Sequence, residues 1–326
     1  MAAIRFEHKT YQTRNGETVL DALLGAGVSV PHACRSGSCQ TCLMRAIKGS
    51  PPATAQKGLK QTRLALNYFL ACVCTPEMDM EVTLADDLPS PVTARVTTIE
   101  TLARDVLELA LTTDGLLDYH PGQFIRLKTP DGFSRSYSLA SVPGEDDCLR
   151  LHIRRIPGGQ VSGWIHEHLK PGDAITVQGP MGDCFYCPDQ PTQALMLIGT
   201  GTGLAPLYGI ARDALRQGHS GPIHLFHGSH APEGVYLQQS LHELASRHPQ
   251  VQYTPCVSGQ DIPTGFTQGR VHEVALSRFS NLSGWRVFLC GHPGMVEQAR
   301  MMAFIKGAAF EDIHADPFTM PTNPHE

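Results

Sequence analysis

No stretch of this 326-residue chain stays apolar for the eighteen or so positions that a membrane span requires, so no segment is a candidate for a spanning helix. Its first residues, Met1-Ala2-Ala3-Ile4-Arg5-Phe6-Glu7, lack the apolar core of a secretory signal, and the expected location is the cytoplasm. Lysine and arginine nowhere gather into a run. Together they number 26 against 31 acidic residues, a formal charge of −5 that argues against a nucleic-acid binder. No serine nucleophile elbow or Ser/His/Asp order occurs in a supporting context, which sets aside hydrolases of that kind. Ten cysteines could suit a disulfide framework, but with no signal sequence and so long a chain, reduced thiols are expected. With 41% hydrophobic and 17% charged residues the chain is long enough for two or three domains, each with its own core.

What is present begins with Pro31-His32-Ala33-Cys34-Arg35-Ser36-Gly37-Ser38-Cys39-Gln40-Thr41-Cys42, whose cysteines are spaced C-x₄-C-x₂-C, with further cysteines at 72 and 74. This is the plant-type spacing for a [2Fe–2S] cluster. Gly37 and two serines let the loop turn its N–H groups toward the sulfurs, which helps set a cluster's potential. Zinc sites usually pair two C-x₂-C knuckles, and beside these ligands only Cys39/Cys42 supplies one. Leu70-Ala71-Cys72-Val73-Cys74 offers two candidates for the fourth ligand. Read as a strand, with neighbouring side chains on opposite faces, it lets only one of them reach the cluster. The stretch resembles plant-type ferredoxins, and their spacing selects Cys72, leaving Cys74 as a core or supporting thiol.

Residues 4–14 alternate as a strand, and Glu17–Leu24 reads as a short helix whose Val19, Leu20, Leu23 and Leu24 pack under the cysteine loop. Between positions 77 and 87 stand Glu77, Asp79, Glu81, Asp86 and Asp87, with no lysine or arginine from 64 to 94. A solvated edge is the favoured reading, and a docking face for a basic electron-transfer partner the other. Pro89 and Pro91 then suit a short stiff linker.

From Val92 to about Tyr186, short β-rich runs punctuated by glycine and proline suggest an antiparallel barrel. It carries Pro121-Gly122-Gln123-Phe124, then Arg135-Ser136-Tyr137-Ser138, then Arg154-Arg155-Ile156-Pro157-Gly158-Gly159-Gln160-Val161-Ser162 ahead of a helix. Arg135 and Tyr137 share a strand face, so one can hold a phosphate while the other stacks on a planar ring. Gly158 and Gly159 offer bare N–H groups to a pyrophosphate, with Ser162 as an added donor. Ala194–Ile198 is an apolar strand that passes through Gly199-Thr200-Gly201-Thr202-Gly203 into a helix near Pro206, a turn that a dinucleotide can approach closely. Ile223–Gly228 reads as the next strand and Glu233–His248 as a helix with Val235, Leu237, Leu241 and Leu244 available for packing. Arg286–Cys290 is a buried strand that turns at Gly291-His292-Pro293-Gly294 into a helix with Met295, Ala299, Met302 and Ala303 on its core face. Strand and helix alternation implies a parallel sheet.

With these motifs in this order, residues 92–326 resemble the ferredoxin–NADP reductase superfamily. The whole chain resembles the NADH-dependent reductase components of bacterial ring-hydroxylating and multicomponent monooxygenases. The resemblance implies a β-grasp ferredoxin domain over 1–89, an FAD-binding β-barrel over 90–188 and an NAD(P)-binding α/β domain over 189–326. By its R-x-Y-S motif, Arg135 contacts flavin phosphate, Tyr137 stacks on the isoalloxazine and Ser138 sits near flavin N5. Gly158, Gly159 and Ser162 match its pyrophosphate segment, while Gly199, Gly201, Gly203 and Pro206 match its nicotinamide-nucleotide segment. Cys290, in a C-G-x-P-x-M-like motif, lies beside the nicotinamide, and Phe318 is placed against the flavin as a C-terminal aromatic. Cysteine ligands Cys34, Cys39, Cys42 and Cys72 complete the set. The implied path runs from NADH through FAD and the cluster to a partner, a terminal oxygenase or its small ferredoxin. FAD is favoured over FMN because the ferredoxin comes first. NADH is favoured over NADPH because no arginine lies near His227-Gly228-Ser229-His230 in sequence to grip a 2′-phosphate. A reductase partner of a deoxysugar dehydrase and a non-catalytic redox sensor are the alternatives; intact nucleotide segments argue against the sensor. Two further patterns receive structural readings. Cys184-Phe185-Tyr186-Cys187 has no second pair beside it, and His166 and His168, two apart on a helix, do not face one another.

Overall fold

Near the amino end, the run expected as one strand forms two. Ala3–Phe6 and Lys9–Gln12 pair antiparallel because Glu7 and His8 both take positive φ, 46° and 64°, and reverse the chain. In this computed structural model, which describes residues 2–115, 117–260 and 262–319, the chain divides into units of residues 1–88 and 89–326.

The first unit is a five-stranded sheet in the order Lys9–Gln12, Ala3–Phe6, Met80–Leu84, Leu43–Lys48, Tyr68–Leu70, with only the pairing of Ala3–Phe6 to Met80–Leu84 parallel. Helix Val19–Gly25 is capped by Thr18, whose hydroxyl accepts from the Asp21 N–H, and buries Val19, Leu20 and Leu23 in a core with Ile4, Phe6, Met44 and Phe69. Each fully buried side chain contributes about 1.5–3 kcal/mol against roughly 1 kcal/mol for the cap. Packing therefore holds this 7-residue helix, which is too short to persist alone. Leu70–Cys74 is not the strand expected of it. The strand ends at Leu70, and Ala71–Val73 is a 3₁₀ turn anchored by the Ala71 N–H on the Cys42 carbonyl, 3.0 Å. Residues two apart on a strand would share a face, so strand alternation could not have separated Cys72 from Cys74; the turn does.

The second unit opens with six antiparallel strands ordered Leu149–Arg154, Val106–Thr113, Val92–Ala103, Ala174–Met181, Phe124–Lys128, Ser134–Ser138. A bridge between Leu139 and Leu151 closes the ends, as the barrel reading requires. Its interior is filled by Leu109, Leu111, Ile125, Leu127, Leu151 and Ile153.

The rest is a parallel sheet ordered Thr267–Gln268, Val251–Val257, Ile223–Ser229, Leu195–Thr200, Arg286–Gly291, Ile313–Pro317. The chain builds outward from Leu195–Thr200 in one direction and then returns to add Arg286–Gly291 on its other side. Between those two strands the order reverses, and open α/β sheets bind ligands beyond the strand ends at such a point. Helix Leu204–Arg216 fits tightly against the barrel: a Cβ on Gly209 would stand 3.1 Å from the Ala140 carbonyl oxygen. The helix expected from Glu233 begins later, at Gln238, and runs to Arg247. Pro232–Gly234 is instead a 3₁₀ turn, and Leu237 caps the helix in a left-handed conformation, φ 55°, so Val235 and Tyr236 are buried from an irregular segment.

Candidate functional site

In the cysteine loop, positive φ at Arg35, Gly37 and Gln40 (57°, 77° and 58°) wraps the backbone into a tight coil. Gln40 holds its strained conformation through two side-chain bonds, donating to the Gly58 carbonyl at 3.1 Å and accepting from Arg63 at 2.9 Å. The Ser36 and Cys39 N–H groups donate to Cys34 Sγ at 3.4 and 3.3 Å. The Ser36 hydroxyl, followed by these N–H groups, lowers the Cys34 thiol to about 5, a thiolate-favouring setting. Cys34 and Cys39 lie together on the exposed loop, while Cys42 and Cys72 are buried and interact with each other. Cys34 with Cys39 and Cys42 with Cys72 thus form two thiol pairs, a donor set that suits a cluster of two irons. Burial raises Cys42 to about 11, and Cys74, fully buried, to about 12.

On the barrel, the edge strand Ser134–Ser138 turns Arg135 and Tyr137 to one side and Ser138 to the other. Arg135 is exposed and has no acidic partner among the described residues; Tyr137 is half-buried. A cleft of about 400 Å³ runs along Phe133, Arg155, Gly158, Gly159 and Trp164 at the start of helix Gln160–Glu167. At Gly158, φ 70°, a Cβ would meet nothing within 4 Å, leaving its backbone open to a ligand. Ser162 is buried, and its oxygen accepts from the Ile156 N–H at 3.1 Å. That bond closes the loop and leaves the hydroxyl proton free to donate. Bare glycine N–H groups at a helix start suit a pyrophosphate, and an exposed arginine and a half-buried tyrosine on one strand face suit a phosphate and a planar ring.

At the switch point the glycine turn lies against the end of the Cys290 strand. A Cβ on Gly203 would stand 2.3 Å from the Cys290 carbonyl oxygen, and one on Gly199 2.7 Å from a Leu207 methyl. Gly203→Ala is expected to force these backbones apart, costing about 1–3 kcal/mol and raising KM for the reduced nicotinamide nucleotide. Unchanged steady-state kinetics and thermal stability would refute the close packing. Pro206 is buried in the first turn of Leu204–Arg216, with Gly201 at φ 54° before it.

Three side chains from separate strands then meet. Ser138 Oγ donates to Asp316 Oδ2 at 3.0 Å, and Asp316 pairs in register with Cys290 on the neighbouring strand. Burial and the nearby Asp183 charge raise the Asp316 carboxyl to about 6 against the opposing effect of the Ser138 bond. Burial also raises the Cys290 thiol, whose Sγ stands 3.9 Å from Cys184 Sγ. Phe318, half-buried, donates its N–H to the Gly291 carbonyl at 2.7 Å, which brings it to the same end of the sheet. The last residues, 320–326, lie outside the described part.

Asp316 and Arg154 were not singled out as site residues by sequence. The Arg154 guanidinium lies where a Cβ on Gly201 would stand 2.9 Å from its Nη1, and 3.7 Å from where a Cβ on Gly234, beside Ser229, would be. An arginine therefore does reach the nucleotide turn, from the barrel, which corrects the argument based on the lack of one near 227–230. Arg154 is also paired with Asp105, Nε to Oδ2 3.1 Å. His227, fully buried beneath it, bonds the Gly201 carbonyl through Nε2 at 3.0 Å, and burial lowers its pKa to about 4, keeping the ring neutral. The only local hint of Arg154 was its place in the Arg154-Arg155 pair before Gly158; Asp316 sits in no motif.

Residues 4–77 match the 2Fe-2S iron-sulfur cluster binding domain, 93–186 the oxidoreductase FAD-binding domain and 197–301 the oxidoreductase NAD-binding domain. The chain is 32% identical over 309 residues to the reductase component, a ferredoxin–NAD(P)⁺ reductase, of a naphthalene 1,2-dioxygenase system from Pseudomonas putida, covering 93% of this chain and 94% of that one. It is 34% identical over 320 residues to the reductase subunit of an aromatic O-demethylase from Amycolatopsis, covering 93% and 94%. Among solved structures, an Amycolatopsis cytochrome P450 reductase superposes with a TM-score of 0.70 at 32% identity, covering 98% of this chain and 99% of that one.

Proposed function

Given that this chain belongs to the ferredoxin–NAD(P)⁺ reductases that carry their own 2Fe-2S domain, we propose that it passes electrons from NADH through FAD and a [2Fe–2S] cluster to a partner protein. The partner is a terminal oxygenase or its small ferredoxin. The observation that carries this reading is the meeting of Ser138 from the barrel with Asp316 and Cys290 from the nucleotide sheet, across 178 residues of sequence. Such a junction suits holding a hydride donor from one sheet against an acceptor bound to the other.

When bound, the flavin supplies the conversion of a two-electron donor into single-electron steps. Around it, Arg135 and the Gly158 and Gly159 N–H groups neutralise phosphate, Tyr137 packs on the ring, and Ser138 offers its hydroxyl. Gly199, Gly201 and Gly203 let the nicotinamide nucleotide reach the backbone at the start of the Leu204–Arg216 helix, with Arg154 as a cation over the turn and Pro206 shaping the first helical turn. Cys290 would supply a small neutral wall beside the nicotinamide, and Phe318 would lie against the flavin. Asp316 holds or releases a proton next to Ser138. Cys34 and Cys39 would bind one iron and Cys42 and Cys72 the other. The working division is 1–89 for the cluster, 90–188 for the flavin and 189–326 for the nucleotide. No helix among the described residues is long and apolar enough to cross a membrane, which suits action in the cytoplasm.

NADH is the proposed donor because the end of the Ile223–Ser229 strand carries no arginine of its own, and Arg154, which reaches Gly201 and Gly234 from the barrel, is already paired with Asp105. In an anaerobic titration of the holoprotein, NADH is expected to bleach the flavin and cluster bands together, with NADPH requiring at least about tenfold higher concentration. Bleaching of the flavin alone would remove the internal path, and equal response to both nucleotides would remove the NADH preference.

A further inference from the structure

The sequence couples Cys184 to Cys187 by spacing; the fold couples it to Cys290. Cys184 lies beyond the strand Ala174–Met181, and Cys290 lies on the strand Arg286–Gly291, 106 residues later. Their Sγ atoms are 3.9 Å apart, with residue exposures of 4% and 0%. Cys290 is also the residue in register with Asp316, which accepts from Ser138. Two thiols in contact are more than a packing necessity requires, since one sulfur and a methyl would fill similar space. Closing the gap to the roughly 2.05 Å of a disulfide asks each sulfur to move about 1 Å, the scale of a χ1 adjustment.

We propose that Cys184 and Cys290 form an oxidative modification site, closing to a disulfide under hydrogen peroxide and thereby stopping hydride transfer. In the reaction both S–H bonds and the peroxide O–O bond break, one S–S bond forms, and two water molecules leave. The thiols give up two electrons, which the peroxide oxygens accept. The disulfide pulls the Cys290 sulfur toward Cys184 and away from the place beside Ser138 and Asp316 that the nicotinamide would use. This second half rests on the functional reading given above; the formation of the bond does not. The first attack requires a thiolate, and the Cys290 thiol is held protonated by burial, so the reaction is slow and quickens as pH rises. Sustained exposure to oxidant, not a brief pulse, is the condition that closes the pair.

The test treats FAD- and cluster-loaded protein with hydrogen peroxide, alkylates free thiols and maps the linked peptides by mass spectrometry. In parallel it follows NADH-driven flavin reduction, with ferricyanide as acceptor so that the cluster is not needed. The expected result is a Cys184–Cys290 linked peptide and a fall in flavin reduction of at least tenfold, reversed by dithiothreitol. Cys184→Ala, normalised to its own untreated rate, should keep its activity under the same exposure. Because that variant carries the same cluster, any general peroxide damage appears equally in both proteins. The proposal is overturned if no linked peptide forms, or if Cys184→Ala loses activity in step with the unaltered protein. A linked peptide with flavin reduction unchanged overturns control of hydride transfer and, with it, the placement of Cys290 beside the nicotinamide.

Discussion

Cys72→Ser is expected to yield a protein that has lost its iron–sulfur absorbance and reduces cytochrome c at least about tenfold more slowly, while NADH-to-ferricyanide turnover is largely kept. The asymmetry follows from where the two redox sites are built. Cys72 stands in the turn Ala71–Val73, tied to the third cysteine by the Ala71 N–H to Cys42 carbonyl bond, so its thiol is held beside that of Cys42. No residue of the Ser138, Cys290 and Asp316 group belongs to that unit. Cys74→Ser makes the contrast. Cys74 is fully buried in the core with Leu20, Leu23 and Phe69, so a serine there should keep the cluster but lower stability by about 1–3 kcal/mol through a buried hydroxyl without a good partner. Cluster loss in Cys74→Ser with retention in Cys72→Ser would reverse the ligand assignment.

Flavin reduction by NADH should climb about tenfold between pH 5 and 7, with a midpoint near the raised Asp316 value of about 6, and the profile should be flat and low in Asp316→Asn. Below that midpoint the carboxyl is neutral. Above it the carboxylate accepts from Ser138 and stabilises the positive charge that develops on a nicotinamide ring as its hydride leaves. Ser138→Ala keeps the carboxylate but removes the hydroxyl that stabilises its ionised form, so its midpoint should move higher. Stability takes the opposite sign. A carboxyl raised in the folded state binds its proton more tightly than in the unfolded chain, so its contribution is complete below about pH 4 and is lost as pH rises through 6. Relative to Asp316→Asn, the unaltered protein should lose on the order of 3 kcal/mol over that range, read from thermal midpoints. Parallel pH profiles for the two proteins, in rate and in stability, would show that Asp316 does not titrate in this window.

The cysteine loop proposed to hold the cluster was legible because its chemistry is local: three thiols within one loop would close on one small cluster, and spacing alone records that requirement. The same holds for Gly158-Gly159 and the Gly199–Gly203 turn, where bare backbone before a helix is written into consecutive residues. The parallel sheet was legible from strand and helix alternation, as was the barrel from its short punctuated runs. Less local matters were misjudged. The hairpin at Glu7-His8 needed two non-glycine residues at positive φ, which pattern does not announce. The delayed start at Gln238 came from a 3₁₀ turn and a left-handed Leu237 inside an otherwise periodic stretch.

What the amino-acid sequence determined by itself is therefore which cofactor-bearing segments exist and in what order, since each is a contact between neighbours along the chain. Only the tertiary structure decided which distant side chains share a site: Ser138 with Asp316, Arg154 with Gly201, Cys184 with Cys290. Those pairings arise where the sheet reverses its strand order and the barrel packs against it, and the side chains involved obey no shared period or spacing. Their partners are selected by register between strands far apart in sequence, a property of the assembled sheets that no single segment carries.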